Sequence, residues 1–149
     1  MSLRRYERTR ALVDGDPSLA REIVREVEDE LGAEALKVLE EPREELVMVQ
    51  VRETAQGGLF YLGEALMTSC RVRVGSSVGL GLVLGGDRCR AYELAVVDAA
   101  FAGEAGTPRA ECWDGRLRQE LAHIEEREAA EARRVAMTKG DFSTMKGEA

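Results

Sequence analysis

Apolar residues recur at every fourth position at Leu19, Ile23, Val27 and Leu31, the repeat of one helical face. Asp16 supplies an N-cap before this run, and Pro17 suits the first helical position because its missing N–H would be unpaired there anyway. Gly32 can take the left-handed residue that closes it. The segment predicts a helix. Ahead of it, Leu3, Tyr6 and Val13 with arginines between them predict a short amphipathic helix over residues 3–13, broken by Asp14-Gly15-Asp16-Pro17.

The period then shortens to two. "ALKVL" at 35–39 and "LVMVQV" at 46–51 predict strands, with "EEPRE" between them as a turn. Val47, Val49 and Val51 alternate with Met48, Gln50 and Arg52, which predicts one buried face. After a turn at "AQGG", 55–58, the stretch "LFYLGEALMTSCRVRV" at 59–74 reads as one long strand or two, bent near Gly63-Glu64. Cys70, Val72 and Val74 alternate there with Arg71 and Arg73. Following the turn "GSS", Val78, Leu80, Leu82 and Leu84 share one strand face and Gly79, Gly81 and Val83 the other. Two glycines on one face bare the backbone, a patch where a helix or a partner chain can approach closely.

Gly85-Gly86-Asp87 turns the chain, with Asp87 as N-cap, into a helix from Arg88 to about Ala102 that is apolar nearly all round. Such a helix is buried on more than one side. After the loop "GEAGTPRAE", a long helix is predicted over Asp114–Met137. Leu117, Leu121 and Ile124 form its stripe, and only alanines continue it. Residues 139–149 have no period, and Phe142 and Met145 are their apolar anchors. The pattern gives a single α+β domain over residues 1–138, an antiparallel sheet of about four strands flanked by N-terminal and C-terminal helices. Residues 139–149 form a tail, read as docking on a partner or, alternatively, folding back on its own sheet.

Composition narrows the function. The chain has 149 residues, 33% charged and 44% apolar, a folded balance, with a net charge of −7. That charge argues against a nucleic-acid partner, which needs Lys and Arg to neutralise phosphate. No apolar run approaches the ~18 residues of a membrane span, and "MSLRRYERTR" lacks the apolar core of a signal peptide, so a cytoplasmic location is expected.

Five glycines within residues 75–87 raise the question of phosphate binding. The spacing is neither G-x-x-x-x-G-K-[ST] nor GxGxxG, and the strands around it read as antiparallel. An anion could still rest at the helix N-terminus, on Gly86, Arg88 and Arg90. Cys70, Cys89 and Cys112 are widely spaced, with no CxxC pair and one histidine, His123, so no metal site is expected. Cys70 and Cys89 read as reduced core residues, His123 as solvated, and Trp113 as packed locally. Glu93 and Asp98 interrupt the apolar helix. They pair with strand arginines or act as caps, or else they do acid–base chemistry; lying five apart, they do not share a helix face. No catalytic or cofactor-binding residue stands out.

Taken in order, "LFYLGEALMTSCRVRV", "VGLGLVLGGD", "AYELAVVDAAF" and "GDFSTMKGE" resemble the G subunit of the bacterial carbon–phosphorus lyase system, the PhnG family. The likeness runs from about Leu46 to the C-terminus and is most specific at Gly63-Glu64 with Thr68, the glycine-spaced strand, Glu93 with Asp98, and Phe142-x-Thr-Met-x-Gly147. It departs locally at Ser143 and Lys146, where the family often has an aromatic residue and an arginine. The resemblance implies an accessory subunit working with the H, I, J, K and L components. In that system a phosphonate displaces adenine from ATP, giving a ribose 1-phosphonate 5-triphosphate, so ATP is a substrate of the complex and this chain binds no cofactor. The alternative is a stand-alone module that binds a small anion at the Gly85–Arg90 turn.

Overall fold

The computed structural model describes residues 2–32, 34–104 and 106–138. Its elements run α1 (Arg5–Asp14), α2 (Pro17–Leu31), β1 (Leu36–Arg52), β2 (Leu59–Val74), β3 (Ser77–Leu84), α3 (Arg88–Gly103) and α4 (Pro108–Thr138). The strands form one antiparallel sheet in the order β1-β2-β3. The α+β class and the flanking helices follow the sequence; the strand count falls to three.

The difference lies at "EEPRE", which is not a turn. It continues β1, with register shifts between Val38 and Glu40 and between Glu40 and Arg43 that leave extra residues opposite β2. Pro42 has no N–H to give a ladder, but β1 is an edge strand and the bulge frees that position from pairing. A third shift opposes Val49–Gln50 to Gly63–Tyr61 and leaves Leu62 extra, with Gly63 at φ 154°. This is the bend anticipated near Gly63-Glu64, made as a bulge within one strand. Val74 and Ser77 pair across a two-residue hairpin in which Gly75, at φ 57°, takes the positive-φ position.

The helix ends obey local chemistry. Asp16 accepts the Ser18 amide at 2.8 Å, and Gly32, at φ 73°, donates its amide to Glu28 O at 3.1 Å. Asp87 accepts the Arg90 amide at 2.9 Å. α4 starts at Pro108, six residues before the predicted Asp114. The Thr107 hydroxyl accepts the Ala110 amide at 3.3 Å, and Pro108 takes the first turn, so Thr-Pro was the start signal.

Three layers result. One sheet face, with Cys70, Val72, Val74 and Val83, packs on α3, and the far side of α3 is covered by α1, α2 and the first half of α4. α3 is therefore buried on several sides, as its apolar circumference requires. Trp113 is fully buried, not packed locally: its ring sits 5.4 Å from Phe101 of α3, and its Nε1 donates to Glu26 of α2 at 2.8 Å. In α1 the buried residues are Ala11 and Leu12, with Leu3 just ahead of the helix, while Tyr6 and Val13 face out. Arg8 stacks 4.7 Å over the Phe101 ring, one turn before buried Leu12. Among the described residues no helix is long and apolar enough to cross a membrane.

Candidate functional site

The glycine stretch resolves first. A Cβ built on Gly79 would lie 2.1 Å from Ala95 O, and one on Gly81 would lie 1.8 Å from Ala91 O. The close approach anticipated there is made by this chain's own α3, whose alanines meet the bare strand. Gly79 and Gly81 thus face the interior and present nothing to a partner.

The turn that follows is satisfied from within. Arg90 reaches back to the end of α1 and the start of α2, donating to Leu12 O and, at 3.3 Å, to Pro17 O. Its guanidinium also lies 3.7 Å from Glu93. Arg88 is 3.9 Å from Glu44, the same carboxylate that flanks Gly86, and Asp87 caps the helix amides. Glu44, Asp87 and Glu93 make the surroundings of Gly86, Arg88 and Arg90 acidic, so the geometry offers an anion little there.

Glu93 and Asp98 are partnered too, though not by strand arginines. Glu93 accepts from Arg21 of α2 at 3.3 Å. Asp98 accepts from Arg5 of α1 at 2.6 Å and from the Leu80 amide at 3.0 Å. Arg71 and Arg73 could not serve, because alternation sends them to the opposite face from Cys70 and Val72. Asp98 instead blunts the open edge of β3 and ties α1 to it, beside a groove of about 220 Å³ lined by Leu80, Leu82, Leu94 and Val97.

The remaining reactive groups are dispersed. Among the described residues no three His, Cys, Asp or Glu side chains cluster as a metal site. His123 is exposed, 3.7 Å from Glu120. Cys70 is buried, donates to Glu40 O at 3.4 Å, and burial pushes its thiol above the ordinary range. Cys89 is exposed, contrary to its apolar sequence context, since it lies in the first turn of α3 beyond the sheet's cover. Burial, and then Glu28 at 3.4 Å, raise the Tyr92 phenol. The Ser69 hydroxyl at 2.8 Å and then Arg43 hold Glu45 below the usual carboxylate range.

What stands out is surface. Neither face of residues 46–51 is buried: Val47, Val49 and Val51 share a side with Ala65, the sheet face turned away from α3, and the side of Leu46 and Met48 lies beyond the helices. No residue from Leu36 to Met67 falls in the core. The outer halves of β1 and β2 form a two-stranded ribbon beyond the helices. Leu46, Met48, Tyr61 and Leu66 lie on one side by register, and Val47, Val51 and Phe60 on the other. Sequence reasoning missed this surface. Its signal was the unbroken apolar run Leu59-Phe60-Tyr61-Leu62, which does not alternate as a half-buried strand should. On β3, Val78, Leu80, Leu82 and Leu84 also face outward, 40–75% exposed. Phe142 and Met145 lie outside the described residues.

The model of one protein family, the phosphonate metabolism protein PhnG, matches residues 3–147. The chain is also similar to the alpha-D-ribose 1-methylphosphonate 5-triphosphate synthase subunit PhnG of Rhizobium meliloti (strain 1021), 35% identical over 105 residues. That match covers 70% of this chain and 65% of the relative, so it spans just under two thirds of the relative's length.

Proposed function

The chain belongs to the phosphonate metabolism protein PhnG family, and from that premise we propose that it serves as an accessory subunit of an alpha-D-ribose 1-methylphosphonate 5-triphosphate synthase in phosphonate breakdown. The observation that carries the reading is the family match, which extends over residues 3–147 and so takes in both the helices and the sheet. The named synthase subunit of Rhizobium meliloti supports it.

In this reading ATP and an alkylphosphonate are substrates of the assembled synthase. The phosphonate oxygen displaces adenine from the ribose, and this chain contributes assembly, not reacting groups. The surface supports that division of labour. The two carboxylates of α3 are engaged by arginines of the same chain, whereas apolar side chains crowd the outside. An orienting or charge-stabilising site needs convergent polar groups with unfilled valences, which Glu93 and Asp98 do not offer. The partners are the H, I and L components for adenine displacement, with J and K in the wider lyase system. The tail, with Phe142 and Met145, is proposed as a further docking element.

The test is adenine release from ATP and methylphosphonate. The sibling components together with this chain should release adenine, and this chain alone should not. Turnover by the chain alone, or full turnover by the siblings without it, would overturn the accessory reading.

A further inference from the structure

We propose that the two-stranded ribbon of residues 46–66 is inserted into a cleft of a sibling subunit that covers both of its faces. The proposal rests on the subunit reading above. Three observations on the ribbon support it. The first is instability in isolation: a two-stranded hairpin with no layer against it is marginal in water, and this one turns apolar side chains to solvent on both faces. The second is area. Eight of its large apolar residues are 42–68% exposed. Together they present apolar area on the scale of the roughly 800 Å² that each partner gives to a standard protein interface. The third is composition. Residues 46–66 hold only Arg52, Glu53 and Glu64 as charged groups in a chain that is 33% charged. Depletion of charge with Tyr, Phe and Met in its place is the mark of an interface centre.

The two-sidedness selects the occupant. A second copy packing ribbon against ribbon about a two-fold axis would cover one face and leave the other wet. A lipid surface would likewise take one face, and its anionic headgroups need more cations than Arg52. A different protein with two apolar walls covers both. Glu64, opposite Met48 and half-way along the ribbon, calls for a basic side chain or backbone amide on the wall it meets.

The experiment is co-expression of the tagged full chain with the other synthase subunits of the same organism, followed by quantification of siblings recovered on the tag. Met48→Glu with Tyr61→Glu on one face, and Val47→Glu with Phe60→Glu on the other, should each cut recovery at least about tenfold, as loss of a buried anchor does. Val135→Glu with Met137→Glu, on the exposed end of α4, should leave recovery intact. Hydrogen exchange on the unaltered protein provides a readout that needs no variant: amides of 46–66 should slow at least about tenfold in the complex relative to the free chain. Normal recovery of both ribbon variants, or unchanged exchange, overturns the insertion while leaving the subunit reading standing. A free chain that is dimeric, and that the ribbon variants convert to monomer, overturns it in favour of a second copy. Failure of the unaltered chain to recover any sibling overturns the subunit reading itself.

Discussion

Replacing Gly81 with alanine adds one methyl group where β3 meets α3, and the structure sets the cost. The new Cβ would fall 1.8 Å from Ala91 O, 2.7 Å from Ala95 N and 2.9 Å from Ala91 C, all backbone atoms of the helix. No rotamer change can relieve a clash with main chain. Strand and helix must part by more than an ångström along a contact shared with Gly79, whose own Cβ position is 2.1 Å from Ala95 O. Overpacking of this kind costs about 1–3 kcal/mol, at the upper end where neither wall can give. Alanine restores about 0.4–1 kcal/mol by restricting the unfolded chain. The net loss is about 2 kcal/mol, or roughly 4–8 °C in melting temperature for a domain of this size. The matched control is Gly115→Ala, inside α4 with nothing within 4 Å of its Cβ, where better helix propensity should raise stability by up to about 1 kcal/mol. Thermal unfolding followed by circular dichroism reads both. A Gly81→Ala protein that melts with or above the parent would refute the backbone contact.

Arg90→Met removes the guanidinium that serves Leu12 O and Pro17 O and flanks Glu93; leaving the two carbonyls without that donor should cost about 2–3 kcal/mol in urea unfolding, and a midpoint within error of the parent would count against that role. Thiol titration should find Cys89 and Cys112 reactive in the native protein and Cys70 reactive only after unfolding; prompt modification of three thiols would contradict its burial. Asp16 has its pKa lowered by the Ser18 bonds, so its stabilising effect is complete above the unfolded-state value and fades as pH drops through the lowered one. Asp16→Ala should therefore melt earlier than the parent at neutral pH and converge with it in acid, and a deficit that persists below both values would argue for a packing effect instead.

The helices were legible because their signals are local. Asp16-Pro17, the four-residue repeat to Leu31, Gly32 and Asp87 each act through atoms a turn away, and each appears where the sequence placed it. Thr107-Pro108 carries the same kind of signal, hidden among the glycines and charges that make residues 103–111 look like a loop. The sequence splits the strand at 36–52 because proline normally ends pairing; that it lies on an edge, where a missing N–H costs nothing, is a tertiary fact. The candidate surface was harder to see for a related reason. Alternation shows that a strand has two faces, but not whether anything covers them, and Val47 turns out to lie on the face turned away from α3. Trp113 and Arg90 reach partners 87 and 78 residues away, beyond what any local pattern encodes.

That no side chain of β1 is fully buried has a consequence in time. Its place is held chiefly by pairing with β2, with only Leu36 and Val38 packed against the core, and β2 gains its own cover only when α3 docks. The ribosome delivers these parts in the least convenient order: Arg52 emerges about 50 residues before the end of α3 at Gly103. At ~5–20 residues per second, the nascent chain carries an apolar strand with no finished sheet to join for a few seconds. The same dependence runs backwards in the finished protein, where β1 beyond Val38 can peel away without opening the layer between β2, α3 and the outer helices. Birth order leaves residues 36–52 waiting for a partner, and the same thin hold on the core makes them early to be released.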